Sequence, residues 1–301
     1  MVKINKKFVW KTALSIVLVI TSVIMLYPLI YMFLGALADK TLYLESGLLP
    51  TPSLTKDRIL NFTIVFQAEG LLQSVFITLL RMIFYGIINI VISTIGGYVF
   101  SKLEFKGKKV VFLYFMSSMM IPGVAVMVPS YILMARFPLV GGNSILGMGG
   151  QGFVNNPAIL FVTGWVPVYN IFLMRQSFSS FGSEMKEAAQ VDGAGHFTIM
   201  FNIYMPIALP CIAVMSIGLA IGHWNDYLNC LIYLPDLKEY HTVGTKIIEI
   251  LDLYGTEGYD IIPNYPRIYG ISFMFLLPPI VIFLCFQRFF ISGLAMGAVK
   301  G

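Results

Sequence analysis

The chain has 301 residues, 57% of them apolar and only 12% charged, with a formal net charge of +5 and a mean hydropathy of +0.81. A soluble domain carries about a quarter charged residues and needs them to keep a water-facing surface free of apolar patches. A soluble enzyme, a disordered chain and a nucleic-acid binder are thereby excluded, which leaves an integral membrane protein.

A bilayer core takes about 20 mostly apolar residues per helix. Six stretches supply them: Thr12–Leu37, Leu72–Ser101, Val110–Ala135, Ala158–Phe181, Met205–Leu231 and Ile268–Ile291. Their length and lack of strict alternation predict helices rather than a β-barrel, so the fold class is all-α with six transmembrane helices in one domain over residues 1–301. Lys3, Lys6, Lys7 and Lys11 precede the first stretch. Its apolar run is about twice as long as a signal-peptide core, which predicts a retained helix. Asn61-Phe62-Thr63 follows as a formal glycosylation sequon.

The second span holds Arg81, with Asn89 and Ser93 on one helical face. It exits into a short basic connector carrying Lys102, Lys106, Lys108 and Lys109. Ser117-Ser118 interrupts the third span. The loop after it contains Gly147-Met-Gly149-Gly-Gln-Gly152, a GxGxxG string with no preceding strand, and so a turn rather than a dinucleotide site. The fourth span carries Trp165, Tyr169 and Asn170; the fifth carries His223, Trp224, Asn225, Asp226 and Asn229. Gly218-x-x-x-Gly222 in the fifth reads as a close helix-packing face, with reduced bulk beside a pathway as the alternative. Cys211, Cys230 and Cys285 lie in apolar runs and read as small hydrophobes. No grouping of His, Cys or acids suggests a metal or catalytic site.

The Lys/Arg bias of the short loops places both termini and the 102–109 connector on the cytoplasmic side. On that side one connector is unusually long, residues 182–206. Ser183 is placed to cap a short helix with Glu184 and Glu187 in its first turns and Glu187-Ala-Ala-Gln-Val-Asp192 as its body, and Gly193 to stop it with a left-handed conformation. Phe197, Met200, Phe201 and Tyr204 then share a helical spacing before Pro206. The expected form is a helix–turn–helix at the membrane surface, either a docking element or a plain interfacial connector.

The run Glu187-Ala188-Ala189, then Gly193, then Ile203-x-Met205-Pro206 resembles the EAA signature of permease subunits of ATP-binding-cassette importers. Asp192-Gly193-Ala194, Trp224-Asn225-Asp226-Tyr227 and the C-terminal Gly293-Leu-x-x-Gly297 follow the carbohydrate branch, the maltose-transporter-type second permease. Met205 stands where that pattern has Leu, a volume-conserving difference.

The resemblance implies a type I importer fold whose loop docks on a cytoplasmic ATPase through Glu187, Ala188, Ala189, Asp192 and Gly193. It also implies a second homologous permease, two ATPase copies and an extracytoplasmic solute-binding protein. No GxxxxGK[ST] loop occurs in the chain, so ATP and Mg are expected on the partner and no cofactor on this subunit. Intramembrane ionisable groups are costly and mark candidate pathways, and sugars suit aromatic platforms beside polar groups. Arg81, Asn89, Trp165, Tyr169, Trp224, Asn225 and Asp226 are the candidates, with snorkelling of Arg81 and helix bracing by Asp226 as the alternatives. A non-sugar importer permease or a self-contained secondary transporter remains the rival function.

Overall fold

The computed structural model describes residues 6–40, 47–255 and 263–298. Among them regular structure is helical, and an isolated bridge joins Ala38 to Pro52. In chain order the helices are α1 (Lys6–Ala36), α2 (Lys56–Thr63), α3 (Leu71–Lys102), α4 (Lys108–Ser118), α5 (Gly123–Ala135), α6 (Ile159–Val162), α7 (Val168–Ser179) and α8 (Glu184–Val191). There follow α9 (His196–Ile207), α10 (Leu209–Trp224), α11 (Leu228–Tyr233), α12 (Val243–Gly255) and α13 (Tyr265–Ala298).

Three helices are long and apolar enough to cross a bilayer unaided: Trp10–Ala36 of α1, all of α3, and Tyr265–Arg288 of α13. They coincide with the first, second and sixth predicted spans. The other three stretches are interrupted rather than continuous, and proline accounts for it, since it lacks an N–H and clashes with the preceding turn. The third bends by 93° between α4 and α5, where Pro122 precedes α5. The fifth bends by 77° at Ala208, between Pro206 and Pro210. The fourth is one turn of α6, an unwound segment ending at Pro167, then α7. Counting each bent pair as one span gives up to five candidates among the described residues.

These residues fall into two compact units. The first, Met1–Leu71 with Ile247–Pro278, has a core of Ile64, Val65, Ala68, Ile247, Ile250 and Ile271. Most of α1 stands clear, Trp10 being 71% and Ile24 65% exposed, as a lipid-facing helix requires. Its last turn is pinned. A Cβ on Gly35 would come 2.8 Å from the Tyr269 ring, and Asn61 Nδ2 donates to the Ala36 carbonyl at 2.8 Å. The sequon's carboxamide is therefore buried and engaged.

The second unit, Leu72–Lys246 with Pro279–Gly301, has two clusters. One joins α3, α7, α9 and α10 through Tyr98, Met174, Phe178, Ile199, Tyr204 and Met215. Gly97 permits it, because a Cβ there would lie 2.6 Å from that of Met174. The other gathers Ile77, Phe153, Leu160, Cys230, Tyr233 and Leu234, so Cys230 is the buried small hydrophobe expected of it. Gly147, Gly149 and Gly152 all have positive φ in a loop tied by Asn143, whose side chain reaches Ala135 O, Phe137 O and the Gly150 N–H. That is a compact turn, as the missing strand suggested.

Candidate functional site

One face of α3 carries Arg81, Tyr85, Asn89 and Ser93, four residues apart at each step, so their side chains stack into a polar ladder. The ladder faces the break in the fourth apolar stretch. There the short α6 ends with carbonyls that have no helical partner, and inside a membrane each must be satisfied by protein or lie on a wet cavity. Arg81 Nε donates to Leu160 O at 3.2 Å, Tyr85 Oη donates to Thr163 O, and Trp165 Nε1 donates to Phe161 O at 2.6 Å. Gly164, at φ +81°, turns the chain between them. One step further along the ladder, Asn89 Oδ1 accepts from Asn170 Nδ2 at 2.7 Å and from Ser93 Oγ at 3.3 Å.

A second break meets the first. Helix α10 ends at Trp224, and α11 resumes at Leu228. Asp226 sits between them and accepts from Asn229 Nδ2 at 2.8 Å. Arg81 Nη2 pairs with Asp226 Oδ2 at 2.9 Å, and the two side chains are 3% and 14% exposed. The pair is geometrically good, as a buried pair must be to offset desolvation. Arg81 Nη1 is buried without a hydrogen-bond partner. Behind Asp226 the backbone is clamped: Thr242 Oγ1 donates to its carbonyl at 2.7 Å, and a Cβ on Gly244 would approach that carbonyl oxygen to 2.8 Å. His223 stacks on Tyr85 with ring centroids 4.7 Å apart.

Between the breaks lies a cavity of about 790 Å³, lined by the ladder residues Arg81, Tyr85 and Asn89, by Thr163, Gly164 and Pro167 to Asn170 on one side, and by α10 with Asp226 and Asn229 on the other. Such a volume suits a small oligosaccharide-sized ligand. The wall offers amides, hydroxyls, an aromatic pair and one internally neutralised charge pair.

Of the seven pathway candidates, Arg81, Asn89, Tyr169 and Asp226 line this cavity, and Trp165, Trp224 and Asn225 do not. Trp165 spends its N–H on the broken helix and its ring on Phe84, centroids 6.2 Å apart. Trp224 is buried at the end of α10, and Asn225 is the exposed residue capping that end. A Cβ at Gly218 or Gly222 would meet nothing within 4 Å in this chain and both line the cavity, which supports the reading of reduced bulk beside a pathway. Close packing falls to Gly96 and Gly97 instead. Arg81 does not snorkel. Sequence reasoning passed over Tyr85, Thr163 and Gly164; the four-residue spacing from Arg81 to Ser93 and the proline within the fourth stretch carried that signal.

The other candidate surface is the 182–206 connector. α8 occupies Glu184–Val191 with Ser183 at its N-cap position, although the Ser183 hydroxyl makes no capping bond. Gly193 has φ +80° and its N–H bonds to Gln190 O at 3.1 Å. Glu187, Ala188, Asp192 and Gly193 are exposed, whereas Ala189 packs on the buried cluster. Of the four residues expected on one amphipathic face of α9, Met200 and Tyr204 are buried, Phe201 is 37% and Phe197 is 72% exposed, and residues Met200–Tyr204 are wound as a π-helix. The connector is hooked to the end of α3: Lys102 Nζ donates to Phe181 O at 2.6 Å and Lys186 Nζ to Lys102 O at 2.7 Å.

Residues 89–290 match the family described as binding-protein-dependent transport system inner membrane component. The chain is 28% identical over 297 residues to the arabinooligosaccharides transport system permease protein AraQ of Bacillus subtilis, covering 97% of each chain. It is 30% identical over 241 residues to the melibiose/raffinose/stachyose import permease protein MelC of the same organism, covering 80% of each. Its fold is that of a chain in the crystal structure of a bacterial transporter that imports the acidic polysaccharide alginate, with a TM-score of 0.74 at 20% identity, covering 96% of this chain and all of that one. A family match over two thirds of the length places this protein in the binding-protein-dependent transport system inner membrane component family, as a permease subunit of an ATP-binding-cassette importer.

Proposed function

We propose that this chain is one permease domain over residues 1–301, which forms half of the translocation pathway of an ATP-driven importer for an uncharged mono- or oligosaccharide. The observation that carries the solute class is the cavity wall. Its one cation is paired with its one anion at 2.9 Å, and the remaining polar groups are amides, hydroxyls and an imidazole beside aromatic rings. A neutral polyol is served by such a wall, whereas a polyanion would face Asp226. The relatives named for arabinooligosaccharide transport and for melibiose/raffinose/stachyose import support the same class.

In this proposal a second, homologous permease supplies the other half, and two cytoplasmic ATPase subunits bind ATP and Mg. A solute-binding protein delivers from the far side of the inner membrane, and both termini of this chain are cytoplasmic. Glu187, Ala188, Asp192 and Gly193 form the exposed docking face on the ATPase, with Ala189 seating α8 on the bundle. Docking alone moves nothing; the ATPase must contact this loop differently in its two states to shift the pathway between inward and outward access.

The test is ATP-dependent uptake of labelled arabinotriose and raffinose into proteoliposomes holding the purified complex and its solute-binding protein. Uptake that requires ATP and disappears in the Glu187→Ala/Gly193→Val double variant is expected. Undiminished uptake in that variant would refute the docking role. Uptake of a non-sugar osmolyte with neither saccharide carried would favour the rival substrate class.

A further inference from the structure

A second cavity, of about 710 Å³, lies at the turn from α3 to α4 and shares no residue with the first. Lys108, Lys109, Arg175 and Glu104 line it, over an apolar floor that includes Phe112 and Met116. Two of these charges cancel locally: Lys108 Nζ pairs with Glu104 at 2.9 Å and also donates to Leu103 O at 2.7 Å. Lys109 and Arg175 are left without a counter-charge within the cavity. Arg175 is held rigidly, its Nε donating to Phe100 O at 3.2 Å and its guanidinium lying 4.2 Å from the Phe112 ring centroid. Its two terminal nitrogens make no hydrogen bond among the described residues, so a pre-oriented fork is presented to the cavity, the geometry that suits a phosphate oxygen pair.

Apolar side chains continue from this charged end along α4, where Leu113 is 69% exposed and Val110 is 73% exposed. The cations stand just past Lys102, at the point where the apolar α3 ends, which is the depth of lipid headgroups. A free phosphate would use the charges and leave the apolar floor unemployed; a phospholipid uses both. We propose that this cavity binds an anionic membrane phospholipid, with its phosphodiester on Arg175 and Lys109 and one acyl chain along α4 beside Phe112 and Met116.

The test is native mass spectrometry of the full-length protein, extracted in mild detergent and supplied with dioleoylphosphatidylglycerol or dioleoylphosphatidylcholine. Retention of the anionic lipid in preference to the zwitterionic one is expected, with affinity falling about fivefold for each cation removed in Arg175→Gln and Lys109→Gln. Lys109→Glu, at an exposed position where folding is not at risk, should abolish the preference by itself. Equal retention of the two lipids, or unchanged phosphatidylglycerol binding in Lys109→Glu, would overturn the proposal. Displacement of the lipid by millimolar inorganic phosphate would overturn it too, by making this a soluble-anion site.

Discussion

At the scale of single residues, the Arg81–Asp226 pair decides most. Removing one member strands the other charge in a buried setting, which costs about 3–5 kcal/mol, whereas removing both costs far less. Arg81→Gln and Asp226→Asn should each lower the melting temperature of the detergent-solubilised protein markedly, and the double variant should recover most of the loss. Additive losses in the double variant would show that the pair is not the unit that matters. The glycines divide in a similarly testable way. Gly97→Ala forces a Cβ to 2.6 Å from Met174 and should cost about 1–3 kcal/mol through overpacking. Gly218→Leu meets open cavity space, so stability should hold while uptake falls, as thermal melting and transport on the same samples would reveal.

At the scale of elements, α3 joins the two candidate regions: its Arg81, Tyr85 and Asn89 line the cavity, and its last residue is hooked to the 182–206 connector. Deleting that hook in Lys102→Met should cost about 1 kcal/mol of stability and lower the solute carried per ATP hydrolysed, measured as the ratio of uptake to phosphate release in proteoliposomes. An unchanged ratio would assign the hook to anchoring only. The connector was the most legible element, because α8, its acidic first turns and the positive φ of Gly193 all follow from local chemistry. The three long spans were legible from length and hydropathy alone. The interruptions were not, since hydropathy windows average over Pro122, Pro167 and Pro206 and report a continuous apolar run. For the same reason Trp165 and Asn225 read as pathway residues: their type suits a sugar, but only the break explains that they serve helix ends. Tyr85 was hidden because an isolated tyrosine in a span looks like belt or packing until the ladder around it is counted.

At the scale of the whole molecule, the placement of charge predicts orientation. Lys106→Cys should react with a membrane-impermeant maleimide in inside-out vesicles and be protected in right-side-out ones; the opposite pattern would invert the proposed topology. The broken fourth stretch also bears on biogenesis. Three of its carbonyls are satisfied by side chains, two of which belong to α3. In the six-span topology a segment with exposed backbone could not cross the hydrocarbon alone, so residues 158–181 would have to leave the translocation machinery with α3 still alongside. Their membrane insertion is conditional on a helix synthesised about 80 residues earlier. In cells, Arg81→Leu/Tyr85→Phe should then appear first as a quality-control defect, with newly made chain degraded before any complex forms, and pulse-chase labelling is where that loss would be seen.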